Sequence, residues 1–241
     1  MSLTVVTGGG RGIGAATALR LAAAGHDLVL GYVSDSGSAR AVATRAGEHG
    51  VRCRAVRADV TDPADVDLLF DAAAGLGQVT GVVNNAGATL HIGDLADTPV
   101  ETVRRVVDVN LTGALLVARR AVRDLVRGGA VVNVSSAAAT LGAPHEYVHY
   151  AAAKAGVDAL TVGLAQEVAG RGIRVNAVAP GIVRTGIHEA AGDPGRLDRV
   201  APAVPLGRVG EPEEVAAAIA WLLGDDCPYA TGATLRVAGG R

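Results

Sequence analysis

The sequence is poor in cysteine and aromatic residues, and none of its hydrophobic runs is long. Aromatic residues make up 2% of the 241 residues, and Cys53 and Cys227 are the two cysteines. Two cysteines cannot form a disulfide framework, and a chain of this length needs none, so both are expected to stay reduced in the cytoplasm. The longest apolar stretch, near 215–223, is too short to span a bilayer. The N-terminus shows no signal-peptide pattern, so neither export nor membrane insertion is predicted.

Neither sign of charge is in excess. The net charge is −2 and the sequence pI is about 6.3, which gives no electrostatic reason to expect nucleic acid or an anionic membrane as a partner. The six histidines show no metal-ligand spacing, so no metal is predicted. What is abundant is small and apolar: hydrophobic residues reach 49% and there are 33 glycines. Such a composition suits parallel strands that are buried on both faces.

Strand-like and helix-like segments alternate along the whole chain. The predicted strands are Leu3–Thr7, Asp27–Tyr32, Arg52–Arg57, Gly81–Asn84, Ala130–Ser135, Arg174–Ala179 and Thr234–Val237. The predicted helices lie near 13–24, 37–49, 63–75, 99–126, 150–169 and 212–223, with Asp62-Pro63 and Glu211-Pro212 as helix openings. This alternation predicts a single domain over 1–241 with a doubly wound (Rossmann) α/β fold, a seven-stranded parallel sheet and helices on both faces. The irregular stretch 184–210 is the expected substrate loop.

A glycine-rich turn follows the first predicted strand and opens the first helix. It reads Thr7-Gly-Gly-Gly-Arg-Gly-Ile-Gly14. Glycines there allow a tight turn and a close approach of backbone to pyrophosphate, which the helix N-terminus then binds. The spacing of Gly8, Gly12 and Gly14 differs from GxGxxG, and no Gly-Lys-Ser/Thr follows, so a nucleoside triphosphate site is not expected. The turn predicts dinucleotide binding; a tight turn without a ligand is the alternative.

Tyr150 and Lys154 are separated by one helical turn. Lys154 is the only lysine in the sequence, while arginine supplies every other strong positive charge. A tyrosine titrates near 10, and a close, partly buried ammonium would stabilise its phenolate. Such a phenol can exchange a proton with an alcohol or a carbonyl. The spacing alone is common, and a half-exposed tyrosine beside a solvated lysine is the alternative. Ser136 ends the fifth strand, where open α/β sheets bind ligands, although a capping serine also fits.

Six motifs occur in the order found in one known family. They are Thr7-Gly8-x-x-x-Gly12-Ile13-Gly14, Asn84-Asn85-Ala86-Gly87, Val109-Asn110-Leu111, Ser135-Ser136, Tyr150-x-x-x-Lys154 and Pro180-Gly181. By these motifs the chain resembles the short-chain dehydrogenase/reductase family, and within it the 3-oxoacyl carrier-protein reductases and the glucose dehydrogenases. The resemblance covers essentially the whole chain.

The resemblance implies a role for each matching residue. Tyr150 would be the general acid/base, Lys154 would lower its pKa and hold the nicotinamide ribose, Ser136 would orient the substrate oxygen, and Asn110 would anchor a proton-relay water. The implied cofactor-binding residues are Gly8, Gly10, Arg11, Gly12, Ile13, Gly14, Tyr32, Ser34, Asp59, Val60, Asn85, Ala86, Gly87, Tyr150, Lys154, Pro180, Gly181, Val183 and Thr185. Asp59 could otherwise be a plain helix-flanking carboxylate. Two departures are a Ser136–Tyr150 spacing one residue longer than is common, and Ala238 in the final strand.

The end of the second strand bears on the choice of nicotinamide cofactor. An acidic residue there would bind the ribose hydroxyls and repel a 2′-phosphate. Here the position is Tyr32, followed by Val33 and Ser34. Asp35 is expected to lie too far beyond the strand to reach the ribose, as a solvated loop residue. Arg11 matches a position that contacts the 2′-phosphate in NADP-preferring relatives, while their second arginine near Val33 is missing. NADP(H) is favoured and NAD(H) is the alternative.

The resemblance implies an NAD(P)-dependent enzyme that transfers hydride reversibly between nicotinamide and a small carbonyl or alcohol. A 3-oxoacyl carrier-protein reductase is the alternative within the enzymes, since Arg127 and Arg171 match carrier-contacting positions. A non-catalytic dinucleotide-binding regulator is the alternative from another class. The helices at 99–126 and 150–169 resemble faces through which family members pair, so a homo-oligomer, a tetramer or a dimer, is expected. Tyr147 has no lysine four residues on. The positions of His91, His149 and His188 would allow them to line the site, but they are expected to be solvated loop residues.

Overall fold

The computed structural model describes residues 2–241, and its centre is one parallel β-sheet. The strands are β1 (Leu3–Val6), β2 (Asp27–Tyr32), β3 (Cys53–Arg57), β4 (Gly81–Asn84), β5 (Ala130–Val134), β6 (Arg174–Pro180) and β7 (Thr234–Val237). They lie in the order β3-β2-β1-β4-β5-β6-β7, and every neighbouring pair is parallel. The predicted seven-stranded doubly wound fold is confirmed. The strand order reverses between β1 and β4, which is where such sheets bind ligands.

Helices connect the strands and cover both faces of the sheet. They are α1 (Gly12–Ala23), α2 (Ser36–Gly47), α3 (Pro63–Ala74), α4 (Val100–Val107), α5 (Gly113–Asp124), α6 (Ala138–Leu141), α7 (Val148–Val168), α8 (Ile187–Ala190), α9 (Arg196–Val200) and α10 (Pro212–Leu223). Two predicted helix openings are confirmed. Asp62 accepts a hydrogen bond from the Ala64 N–H ahead of Pro63, and Glu211 forms a capping box with Glu214.

The sheet separates two hydrophobic cores. Successive strand side chains point to opposite faces, so neighbouring valines enter different cores. Val5 joins Phe70 and other side chains of α3, α5 and α7, whereas Val6 joins Ile219 and side chains of α1, α2 and α10. Strands buried on both faces explain why the predicted strands read as continuous apolar runs. No helix within residues 2–241 combines the length and the apolar character needed to cross a bilayer.

Two predicted segments differ in detail from the structure. The single helix expected over 99–126 consists of α4 and α5, joined by a π-helical turn over Asp108–Thr112. The expected substrate loop, 184–210, contains the two short helices α8 and α9 and a 3₁₀ turn over Ala201–Ala203. Both ends of this loop are held together, since Val183 and Gly210 form an isolated parallel bridge. The loop that follows β6 is therefore folded and not irregular.

Candidate active site

A pocket of about 510 Å³ lies at the carboxyl ends of the strands, across the point where the strand order reverses. Its size is that of a typical cofactor or small-molecule site. It brings together residues from the first turn of the chain, from the ends of β2, β4 and β5, from α7 and from the substrate loop. The motifs that are far apart in the sequence therefore share one cavity.

Almost all of the predicted site residues line this pocket. They are Gly8, Gly10, Arg11, Gly12, Ile13, Tyr32, Ser34, Asp59, Val60, Asn85, Ala86, Gly87, Ser136, Tyr150, Lys154, Pro180, Gly181, Val183 and Thr185. Gly14 and Asn110 lie behind the wall. Both contact residues that line the pocket: Gly14 packs against Gly8, and Asn110 is hydrogen-bonded to Ala88.

The glycine-rich turn forms a cradle in which the glycines leave little room for side chains. Gly8 and Gly12 have positive φ values of +65° and +53°, which favour glycine. A Cβ on Gly14 would lie 2.2 Å from the Gly8 carbonyl oxygen, and one on Gly10 would lie 3.2 Å from Ala39. Within residues 2–241 no side chain caps the N-terminus of α1, so its first N–H groups remain available to an anion. These features fit a bound pyrophosphate.

Thr7 and Asn85 lock the cradle to the end of β4. The Thr7 hydroxyl accepts hydrogen bonds from the backbone N–H groups of Asn85 and Ala86, at 2.9 and 3.0 Å. In return, the Asn85 amide donates to the carbonyl oxygens of Thr7 and Gly8, at 2.9 and 3.3 Å. The two motifs therefore hold each other in place, and Asn85 supports the turn as well as lining the pocket.

Tyr150 and Lys154 lie side by side on α7, beneath Ser136. The Lys154 Nζ atom is 5.6 Å from the centroid of the Tyr150 ring and donates a 2.8 Å hydrogen bond to the Val134 carbonyl. Burial raises the pKa of the Tyr150 phenol, and its interaction with the Ser136 hydroxyl acts in the opposite direction. Burial also lowers the pKa of Lys154 to about 8, against the attraction of Asp158. Burial is the largest influence on the Tyr150 phenol, so its pKa is raised and not lowered as the resemblance implied.

Asn110 is buried in the π-helical turn and supports the pocket from behind. Its amide donates to the carbonyl oxygens of Ala88 and Val106, at 2.6 and 2.8 Å, and its Oδ1 accepts from the Ala88 N–H at 3.3 Å. A Cβ on Gly87 would lie 2.8 Å from Asn110 Oδ1 and 3.5 Å from Lys154 Nζ. The side chain thus fixes the segment after β4 next to Lys154. A π turn at a functional site is a recurring feature of helices.

Two acidic residues stand at the pocket end near β2 and β3. Asp59 is ion-paired with Arg105 at 2.9 Å and accepts hydrogen bonds from the Thr61 N–H and hydroxyl. Asp35 lines the pocket too, although it was expected to lie too far along the chain. Its carboxylate caps α2 by accepting from the N–H and the hydroxyl of Ser38, at 2.9 and 2.6 Å. These hydrogen bonds, and the charge of Arg11, lower the Asp35 pKa. The solvated residue expected from the sequence is therefore an exposed helix cap on the wall of the site.

Comparison with known proteins identifies the family. The family model described as enoyl-(acyl carrier protein) reductase matches residues 8–241. The oxidoreductase YgfF of Escherichia coli is 42% identical over all of both chains. The 3beta-hydroxysteroid dehydrogenase 1 of Eggerthella lenta is 45% identical, over 98% of this chain and 92% of that protein. The chain belongs to the short-chain dehydrogenase/reductase family.

Solved structures place the same family's fold over the whole chain. A short-chain dehydrogenase from Burkholderia cenocepacia in complex with NADP is 34% identical, with a TM-score of 0.93 over 99% of this chain and 97% of that one. Members of the short-chain dehydrogenase/reductase family are oxidoreductases, so this chain is an enzyme that acts on CH–OH or C=O groups.

Sequence reasoning missed several residues around the substrate end of the site. Tyr147, dismissed for lack of a lysine partner, lines the pocket and packs its ring at 90° to that of Tyr150, with centroids 5.5 Å apart. His188 lines the pocket, which was the alternative for it, and His149 is buried, so neither is a solvated loop residue. Arg196 is fully buried beside Tyr147. Only the longer Ser136–Tyr150 spacing signalled that this wall differs.

The two arginines considered for carrier-protein contact have structural partners. The Arg171 guanidinium donates to the carbonyl oxygens of Val122 and Leu125, and Arg127 donates to the Gly170 carbonyl oxygen. Arg171 thereby binds the carbonyl end of α5, where a cation is favourable. Their positions are explained by packing at helix ends.

Proposed function

We propose that this enzyme transfers hydride reversibly between NADP(H) and a small carbonyl or secondary-alcohol substrate, with Tyr150 as the general acid/base. The observation that carries the proposal is that Ser136, Tyr150 and Lys154 lie in the same pocket as the glycine cradle. The nicotinamide supplies or accepts the hydride when bound. The protein's own residues then have to place the substrate oxygen and move one proton.

Tyr150 is suited to give a proton to a carbonyl oxygen. Its raised pKa keeps the phenol protonated at neutral pH, which is the form that donates. Ser136 adjoins the phenol and would hold the same oxygen of the substrate. Lys154, with a pKa of about 8, is mostly charged at pH 7 and would hold the ribose hydroxyls while favouring the phenolate that remains. Asn110 would keep the neighbouring backbone in place and so support the proton relay.

The preference for NADP(H) rests on Arg11. Arg11 is exposed and lines the same pocket as Ser34, so its guanidinium can pair with a 2′-phosphate. Asp35 lies on the same wall and opposes that phosphate. We expect Arg11→Ala to raise the KM for NADPH at least tenfold while it changes the KM for NADH less than twofold. Asp35→Asn is expected to lower the KM for NADPH and to leave the KM for NADH unchanged. A wild-type enzyme that strongly prefers NADH would contradict this proposal.

The catalytic proposal is tested by following NADPH absorbance with a panel of ketones, acetoacetyl thioesters, sugars and steroids. Tyr150→Phe keeps the ring and removes the exchangeable proton. We expect it to lower kcat at least a hundredfold, in line with the contribution of general acid catalysis, while the Kd for NADPH stays within about twofold. Tyr229→Phe is a matched control, because it removes the same hydroxyl from a fully exposed ring that is not among the residues lining the pocket. Unchanged turnover in Tyr150→Phe would refute the mechanism.

We further propose that the enzyme forms a homo-oligomer in the cytoplasm. Leu115 on α5 and Val162 on α7 are 45% and 46% exposed, on the helices expected to pair between copies, and contacts between copies would bury them. Light scattering after size exclusion measures the assembly directly. Leu115→Glu is expected to reduce the mass, and a monomeric wild type would contradict the proposal. The free thiols Cys53 and Cys227 fit a reducing compartment.

A further inference from the structure

The substrate loop contacts the segment before α7 through a buried ion pair. Arg196 in α9 is 2% exposed, and its Nη2 atom lies 2.7 Å from the Glu146 carboxylate. The same guanidinium donates to the Tyr147 hydroxyl at 3.2 Å and lies over the Tyr147 ring, 5.2 Å from its centroid. Arginine is almost never fully buried unless it is paired. Here all of its described partners belong to one segment, which leads directly into the catalytic helix.

This segment connects Arg196 to the proposed acid/base. Tyr147 precedes α7, and its ring packs edge-on against Tyr150, with centroids 5.5 Å apart. Aromatic pairs favour this perpendicular arrangement, which fixes each ring relative to the other. One side chain therefore separates the Arg196 guanidinium from the Tyr150 phenol.

The backbone of the same segment is strained and is held from two sides. Ala143 and His145 have φ values of +46° and +60°, a region that residues with a side chain rarely adopt. The segment around residues 93–94 also holds this backbone: His145 Nδ1 lies 2.9 Å from the Asp94 carboxylate, and the Gly93 N–H donates to the Glu146 carbonyl at 2.7 Å. Strained conformations persist only when their surroundings impose them. Arg196, in the substrate loop, adds a further contact that holds this segment.

We propose that Arg196 is a positioning residue that clamps the substrate loop onto Glu146 and Tyr147, and so holds Tyr147 against Tyr150 and keeps the substrate end of the pocket closed. The proposal rests on the proposed function, in which Tyr150 exchanges the proton. The proposal also explains the longer spacing between Ser136 and Tyr150. This segment contains Glu146 and Tyr147, which accept the hydrogen bonds of the Arg196 guanidinium.

Arg196→Met tests the clamp, because methionine fills similar space without charge or hydrogen bonds. We expect the KM for the carbonyl substrate to rise at least tenfold and kcat to fall severalfold, while the Kd for NADPH changes less than twofold. Arg196→Lys restores the charge and should recover part of the KM. Arg199→Met is the matched control, since Arg199 lies in the same loop but is exposed and paired with Asp193 at the surface. It should behave like the wild type.

A second readout does not depend on activity. Glu189 is exposed in α8, and a glutamate-specific protease should cut there when the loop opens. Cleavage is expected to be at least tenfold faster in Arg196→Met than in the wild type or in Arg199→Met. If Arg196→Met does not fold, Glu146→Gln, which keeps a neutral acceptor, should show smaller changes in the same direction.

The proposal is overturned if the variants keep wild-type KM, kcat and cleavage rates, even where their melting temperature falls, because Arg196 would then only add stability. A wild type that turns over none of the substrates would count against the proposed function. In that case the cleavage rates alone still decide whether Arg196 holds the loop.

Discussion

Lys154 is predicted to destabilise the folded protein at neutral pH, and replacing it with methionine measures by how much. Burial lowers the Lys154 pKa from 10.5 to about 8. Because a pKa change of one corresponds to about 1.4 kcal/mol, the charged ammonium opposes folding by roughly 3 kcal/mol at pH 7. The side chain is 3% exposed, so solvent screens little of this effect. Function, and not stability, is then the reason for a lysine here.

The sign of the pH dependence follows from where the proton is bound. Below pH 8 both folded and unfolded chains hold the proton, and the full penalty applies. Between pH 8 and 10.5 the unfolded chain holds a proton that the folded protein has released, so stability rises with pH. At pH 9.5 the penalty should have fallen to about 1 kcal/mol, which is roughly 2 kcal/mol less than at pH 7.

The measurement is urea unfolding of the wild type and of Lys154→Met at pH 7 and 9.5, at one protein concentration, since an oligomer's stability depends on it. The loss of the hydrogen bond to Val134 adds an offset that does not depend on pH. The effect of all other titrating groups on the free energy of unfolding cancels when the wild type is compared with Lys154→Met at the same pH. We expect the advantage of Lys154→Met to be about 2 kcal/mol larger at pH 7. Arg199→Met, which removes an exposed charge, should show no such change.

An advantage of Lys154→Met that is equal at both pH values would refute the reasoning. It would mean that the ammonium is solvated or paired well enough to keep an ordinary pKa. The same variant should have lost its turnover.

Two further predictions concern the cradle and its lock. Gly14→Ala should lower the affinity for NADPH at least tenfold and destabilise the protein, because its Cβ would lie 2.2 Å from a carbonyl oxygen of the turn; Gly163→Ala, on α7 with no atom within 4 Å of the added Cβ, should instead stabilise it by up to about 1 kcal/mol. Thr7→Val should destabilise by about 1–3 kcal/mol, because two backbone N–H groups lose their acceptor. Thr17→Val, whose buried hydroxyl has no partner within residues 2–241, should be neutral or stabilising. Thermal and urea unfolding measure the stabilities, and fluorescence titration measures the affinity for NADPH. A Gly14→Ala protein more stable than Gly163→Ala, or a Thr7→Val protein more stable than Thr17→Val, would contradict the roles given to Gly14 and Thr7.

The fold was predictable because its signals are local. Alternation of apolar runs with helical segments specifies parallel strands and crossover helices, and every strand begins and ends within one residue of its predicted bounds. The glycine turn was equally predictable, since Gly8 and Gly12 adopt positive φ values that other residues rarely adopt. The π turn around Asn110 was not, because it replaces a backbone hydrogen bond with one from a side chain and leaves the helical pattern intact.

What the sequence determined by itself was the order of the motifs, and therefore the fold, the cradle and the pair of Tyr150 and Lys154. What only the tertiary structure decided was which residues face each other across the pocket. Arg196 reaches Glu146 and Tyr147 over about fifty residues, and Asp35 turns onto the pocket wall as a helix cap. The pKa of Tyr150 was decided there as well, because it depends on burial by residues from several elements. Burial and long-range pairing depend on how distant segments pack together, so they cannot be predicted from a local sequence pattern.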